Sequence, residues 1–341
     1  MTDDRPEDRT EAQLRASAVL VVDTCFEVKE GDVVTIITDD RRKPEAEMVA
    51  NVVAERGGLP IVANNETQVR RALADTHFPM VPPRNLHQAM VTSDQIIIMT
   101  NLEWANRFAH VSAVKESCAN MARIGSIEEG FGRWPISVAD IEATIGNAKK
   151  AIARLEGKKK VRVTSPAGTD VVVSIERRPA LEVVPVKQPG AMMGPAPLWG
   201  EVAYAAVEDQ TNGTIVIDGN MLGIGIPRHV EHPITWHVED GKYRAIEGGA
   251  EARRLLDVIT GVPGTETVAE FAFGTSDFAP VGDPSEKGRK GTVHFALGDN
   301  QNCYPGGQNR SVLHLDGVCH YVSLQILDTG EYIVKDGVWQ L

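Results

Sequence analysis

EGDVVTIITDDRRKPEAEMVANVVAERGGLPIVANN, residues 30–65, decides the reading of the fold. Its VVTIIT run is β-branched and carries no polar alternation, as a strand buried on both faces requires. Pro44 suits the first turn of a helix, and Gly57 and Gly58 suit its end. LPIVANN then reads as a second strand. A strand, a helix and a strand in this order form a parallel pair. The order continues downstream with RNLHQAMVTS as helix, DQIIIMTN as strand, ANRFAHVSAVKESCANM as helix and ARIGSI as strand. Upstream, residues 13–28 carry apolar positions at helical spacing. The strand-to-helix turns lack GxGxxG and GxxxxGKS, so a nucleotide site is not expected.

SVADIEATIGNAKKAIARLEGKKK predicts a long amphipathic helix whose closing lysines complement its dipole and lead into a linker. The texture then changes. KVRVTSPAGTDVVVSI reads as two strands about a turn, and GTIVIDG, ITWHVEDGKYRAIEGG and YIVKDGVWQL as further strands with Asp-Gly or Glu-Gly turns. Only GAEARRLLDVIT looks helical there. The expectation is an α/β protein: a parallel-sheet α/β domain over 1–158, then a β-rich α+β domain over 159–341.

The chain has 341 residues, 42% apolar and 24% charged, with a net charge of −12. That acidity argues against nucleic acid and against an anionic membrane as partners. The polar N-terminus lacks the order of a secretory signal, and no apolar run has the length of a membrane span. The four cysteines, Cys25, Cys118, Cys303 and Cys319, are scattered and suggest neither a zinc knuckle nor disulfides. A cytoplasmic protein with reduced thiols is expected.

Candidate chemistry lies in the second half. Glu201 follows Gly200 and opens an apolar strand; taken alone it reads first as a solvent-facing strand end. Glu270 sits within AEFAFG and shares a strand face with Ala272 and Gly274, where a charge needs a partner or a metal. His294 lies within VHFALG and alone reads as a packed histidine. His314 and Asp316, in SVLHLD, share one face of a strand. His320 keeps that parity further on and is a weaker candidate. Two glutamates, two histidines and an aspartate make a mixed nitrogen and oxygen set suited to one or two divalent ions such as zinc, cobalt or manganese. Trp199 is a candidate pocket wall. Glu266, Arg289, Lys290, His229, His232 and His237 read mainly as solvated or packing residues.

RVTSPAGTD, GEVAYAAVEDQTNGTIVID, DGKYRAIEGGAEA, AEFAFG, VHFALGDN and SVLHLD, in this order, resemble the thermophilic-metalloprotease family of aminopeptidases, the group of aminopeptidase T and aminopeptidase S. The resemblance implies a two-ion hydrolase of a peptide or small amide, with Glu201, Glu270, His294, His314 and Asp316 as ligands. In that reading Glu201 and Tyr304 assist catalysis, and the chain forms a homodimer. A second resemblance is to dihydroxypyridine ring-cleaving dioxygenases, which imply one Fe(II) and a hydroxylated N-heterocycle. They keep the closing His-x-Asp and place a histidine where this chain has Glu270. A non-catalytic scaffold is the third reading, and the five-residue set speaks against it.

Overall fold

The computed structural model describes residues 9–341 except 76, 79, 102–103, 106–107, 109–110, 128–130, 134, 186–188, 191, 198, 227–228 and 303. Cys303 and part of the helix expected over 105–121 therefore lie outside the described residues.

Helix α1 (Glu11–Leu20) opens on a capping box, with Thr10 and Gln13 satisfying each other's exposed backbone N–H groups. The expected helix over 13–28 stops early. At Val21–Cys25 the hydrogen bonding widens, and Phe26 donates to the Val21 carbonyl at 3.0 Å. Strand β1 (Val33–Thr38), α2 (Lys43–Glu55), β2 (Leu59–Asn64), α3 (Glu66–Ala74), α4 (Arg84–Val91), β3 (Gln95–Met99), α5 (Ser112–Ala119) and β4 (Arg123–Ile127) follow. β1 pairs in parallel with β2 and β3, and β3 with β4, as the alternation requires. Val34, Ile36, Ile37, Ile96 and Ile97 are fully buried between the covering helices.

Helix α6 (Val138–Leu155) ends at Gly157, whose φ of +69° a side chain would disfavour. The lysine run is thus not the helix C-terminus: Lys160 opens β5 (Lys160–Thr164). β6 (Asp170–Ser174) and β7 (Leu181–Val183) follow, and β8 (Met192–Ala196) returns to pair in parallel with β4. The rest of the chain is β9 (Glu201–Ala205), β10 (Asn212–Ile217), β11 (Ile234–Glu239), β12 (Lys242–Glu247), α7 (Ala250–Ile259), β13 (Val268–Gly274), β14 (Val293–Gly298), β15 (His314–Cys319), β16 (Ser323–Ile326), β17 (Tyr332–Lys335) and β18 (Val338–Trp339).

The sequence suggests one cut near residue 158. The structure instead clusters into a first unit of 1–145 with 183–198 and a second of 146–182 with 199–341. The return of β8 to the parallel sheet, ordered β2-β1-β3-β4-β8, makes the first unit discontinuous. The second unit holds an eight-stranded sheet, β12-β11-β10-β6-β5-β16-β17-β18, and a five-stranded sheet, β15-β14-β13-β9-β7. The observed class is the expected one: an α/β parallel-sheet region and a β-rich region with antiparallel ladders. Among the described residues no helix is long and apolar enough to cross a membrane.

Candidate metal centre

The five-stranded sheet separates two chemistries onto its two faces. In a strand, alternate residues share a face. On one face lie Tyr204, Phe271, Phe273 and Phe295, with ring centroids 5.9 to 6.4 Å apart from Phe271. On the other lie Glu201, Ala203 and Ala205 from β9 and Glu270, Ala272 and Gly274 from β13. His294, Ala296 and Gly298 from β14 and His314 and Asp316 from β15 complete it. Small residues punctuate the ladder: Ala203 opposes Ala272, Ala272 opposes His294, and Ala296 lies between Glu270 and Asp316. Alanine and glycine clear the volume into which the long polar side chains converge. A bulge between Val268 and Glu270 re-aims β13 where its glutamate begins.

Glu201, Glu270, His294, His314 and Asp316 are thus brought together, and all are buried. Their ligand atoms form two overlapping triads, Glu201–Glu270–His294 and Glu270–His314–Asp316. Glu270 belongs to both. Its Oε2 lies 2.9 Å from His314 Nε2 and its Oε1 lies 3.4 Å from His294 Nε2. His294 Nε2 is 3.6 Å from Glu201 Oε2, and His314 Nε2 is 3.0 Å from Asp316 Oδ1. Glu270 Oε1, His294 Nδ1 and Nε2, and Asp316 Oδ1 are buried without a hydrogen-bond partner. Orphaned acceptors of this kind are costly in a protein interior. A divalent cation among them would satisfy oxygens and ring nitrogens together, so the donor set fits a metal.

The surrounding groups orient the set. His314 Nδ1 lies 2.7 Å from the Asp299 carbonyl, which fixes the ring with Nε2 facing inward. Trp199 donates its indole N–H to Glu201 Oε2 at 3.0 Å, which sets its ring beside the group. The Tyr304 hydroxyl is 3.4 Å from His314 Nε2 with the rings stacked, and Tyr304 packs against Ala203, Ala205 and Ala272.

Electrostatics divide the carboxyls. Burial pushes Glu201 above the usual carboxylate range, against the pull of Lys287 and His294. Burial opposes ionisation of Glu270 and Asp316 too, but His294 and His314 outweigh it at Glu270, and Lys287 and His314 at Asp316, so both stay well below that range. Burial would lower His314, yet Asp316 and Glu270 overcome it and raise it to about 10.

Two residues escaped sequence reasoning. The stretch GDPSEKGRKG reads as a solvated loop, but Glu286 is fully buried and Lys287 only 4% exposed. Lys287 Nζ donates to Asp316 Oδ2 at 2.6 Å and lies 4.9 Å from the centroid of the Trp199 ring. Glu286 accepts from the backbone N–H groups of Asn220 and Gly282 at 2.7 and 2.8 Å. It also pairs with His229, and with His320 at 3.3 Å. His320 therefore belongs to this second group and not to the five-residue set, because it lies beyond the end of β15. His229 joins it too, where the sequence suggests mainly a surface or packing residue. Further along the same stretch both side chains are half-buried: Lys290 pairs with Asp277 at 2.8 Å, and Arg289 donates to the Ala279 carbonyl. His232 and His237 sit at the surface near Glu251 and Glu247, and Glu266 pairs with Lys242.

A β-sheet face of buried carboxylates and histidines, on this fold, defines a metalloenzyme scaffold. The chain belongs to the 2,5-dihydroxypyridine 5,6-dioxygenase family, whose family model matches residues 17–276. Among solved structures it is similar to 2,5-dihydroxypyridine dioxygenase from Pseudomonas putida KT2440. That similarity has a TM-score of 0.74 at 18% identity, covering 97% of this chain and 98% of that one. It is also similar to wild-type AmpT from Thermus thermophilus, with a TM-score of 0.69 at 15% identity, covering 97% and 100%. No curated protein matches by sequence.

Proposed function

We propose that this protein is a metal-dependent ring-opening dioxygenase acting on a small hydroxylated N-heterocycle, with Fe(II) as its ion. The observation that carries the reading is the buried Glu270–His314–Asp316 triad in a chain of the dihydroxypyridine dioxygenase family. Those three residues would hold the ion, and His294 and Glu201 lie beside Glu270 on the same sheet face. Bound there, iron would supply the one-electron chemistry that lets O2 react with an electron-rich ring.

The chain's own groups have separable tasks. Glu201, whose carboxyl burial raises above the usual carboxylate range, would exchange a proton with a ring hydroxyl. Tyr304, buried beside His314, would direct its hydroxyl at a substrate oxygen. Trp199 and the alanines of β9 and β13 would exclude water from the reacting ring.

One observation favours a second reading, a two-ion hydrolase of aminoacyl or amide substrates. Glu270 offers one oxygen to each triad, as a carboxylate bridging two ions would. The experiment that separates the two is reconstitution under nitrogen with Fe(II), or separately with Zn(II), Co(II) or Mn(II). Each preparation is then assayed on 2,5-dihydroxypyridine in air and on aminoacyl p-nitroanilides. Loss of the pyridine chromophore with Fe(II) alone supports the dioxygenase. Anilide cleavage with the other ions, and an unchanged pyridine, supports the hydrolase.

A further inference from the structure

We infer that His229, Glu286 and His320 form a second metal site, apart from the sheet-face centre, that takes one zinc-type divalent ion. The inference does not depend on the chemistry proposed for the sheet face.

The three residues come from distant parts of the chain and meet around one glycine. Beyond the end of β10, residues 218–221 run between two neighbouring segments. On one side the Gly219 N–H donates to the Val318 carbonyl of β15 at 3.0 Å, and Asp218 Oδ1 accepts from the His320 N–H at 2.8 Å. On the other side Asn220 bridges to His229, and the Val230 N–H donates to the Gly219 carbonyl at 3.0 Å. A short 3-10 helix, Pro284–Gly288, closes the group. Asn220 donates its backbone N–H to Glu286 Oε1 at 2.7 Å and its side-chain amide to the Asp283 carbonyl at 2.8 Å. Gly219 has no positive φ, so its backbone would admit any residue. Space is what excludes a side chain: a Cβ there would meet both Glu286 Oε1 and His320 Nε2 at 2.7 Å.

The donor atoms are spaced for an ion. Those of the three residues lie within 4.8 Å of one another. His320 Nε2 is buried without a hydrogen-bond partner, 3.3 Å from Glu286 Oε1. A tetrahedral ion with bonds of about 2.0 Å separates its ligand atoms by about 3.3 Å. His229 Nε2 lies against the other oxygen, Oε2, and the two imidazole rings meet edge to face with centroids 5.1 Å apart. Glu286 is fully buried, and the N–H groups of Asn220 and Gly282 fix one oxygen each at 2.7 and 2.8 Å. Each oxygen keeps a further lone pair for the cluster. Two imidazoles with one carboxylate suit zinc better than magnesium or calcium, which prefer oxygen ligands throughout. The His229 side chain is 33% exposed, so water reaches the outer side of the group and would complete the coordination. His320 lies four residues beyond Asp316, about 13 Å along an extended chain, so the two centres do not share an ion. An ion at this site would brace the turn that carries Lys287 to Asp316.

The test strips full-length protein of metal, exposes it to Zn(II) or Co(II), and counts bound ions by elemental analysis after gel filtration. Glu270→Ala disables the sheet-face centre and isolates the second site. His229→Gln is added to it, at a partly exposed position that the fold should tolerate. One zinc retained by Glu270→Ala, and bound at least about tenfold more weakly once His229→Gln is added, supports the inference. Co(II) in the single variant should then show the visible absorption of a four-coordinate ion, and the double variant should lack it. A folded Glu270→Ala protein without zinc would overturn the inference and leave a network of imidazole and carboxylate hydrogen bonds. Zinc held equally by the single and double variants would overturn it by placing the ion elsewhere. If Glu270→Ala does not fold, wild type and His229→Gln alone decide the matter. One zinc fewer in His229→Gln with unchanged Mn(II) binding supports the site. Equal zinc counts, or a parallel loss of Mn(II), overturn it.

Discussion

At the scale of single residues, the sharpest consequence is competition between protons and metal at His314. The metal-free centre favours imidazolium there, raised to about 10 by Asp316 and Glu270 against burial, whereas a ligand must be neutral. Ion binding therefore displaces a proton, and affinity rises with pH. Mn(II) affinity should increase by roughly tenfold per unit between pH 6 and 8, measured calorimetrically in buffers of different ionisation enthalpy. A flat profile would count against His314 as a ligand. The same shift fixes a sign for stability. A histidine raised on folding stabilises fully below its unfolded value of 6.5 and loses that contribution as pH climbs towards about 10. Metal-free protein should become easier to unfold in urea over that window, and His314→Gln should flatten this part of the dependence. Glu270→Ala removes the one residue common to both triads, and should reduce bound Mn(II) to background in elemental analysis while leaving the circular dichroism unchanged. Tyr304→Phe keeps the ring on its alanine bed and removes only the hydroxyl. It should lower kcat by about tenfold to a hundredfold with bound metal unaltered.

At the scale of elements, β9, β13, β14 and β15 act as one device with an aromatic side and a polar side. The aromatic side resists the cost of burying charge on the other. Phe295 is fully buried and packs on Phe271, so Phe295→Ala should destabilise by about 3–5 kcal/mol in urea denaturation. Little change would mean that the polar face, and not the apolar one, holds these strands together. Much of this was legible in the sequence. Glu270, Ala272 and Gly274 alternate along one strand face, and so do His314 and Asp316, because the side-chain period of a strand is fixed. Lys287 and Glu286 were not legible. They sit among Gly, Pro, Ser and Arg, where no apolar neighbour signals burial. Their burial comes from residues far away in sequence: Asn220, His229, Asp316 and Trp199. The helix end at Gly157 was likewise hidden behind a lysine run that complements a dipole as readily as it opens a strand.

At the scale of the whole molecule, the strand and helix alternation of residues 30–127 was enough to give a parallel sheet, but not its fifth strand. β8 joins that sheet from residues 192–196, after three strands of the other unit, and local pattern carries no sign of such a return. The family match ends at residue 276, before His294, His314 and Asp316, so it is the strand pairing of the fold that brings these residues to Glu201 and Glu270. If the centre holds an ion only in the folded state, excess metal must stabilise the chain. Mn(II) at a hundred times its dissociation constant should add about 2.7 kcal/mol to the unfolding free energy, and chelator should reverse it. Oxygenation at this metal centre is tested most directly by isotope labelling. Fe(II)-loaded protein would turn over 2,5-dihydroxypyridine under 18O2 in ordinary water, with the product read by mass spectrometry. Two 18O atoms in the ring-opened product are predicted. A turned-over product carrying no 18O from the gas would contradict the claim and leave hydrolysis by metal-activated water as the chemistry of this site.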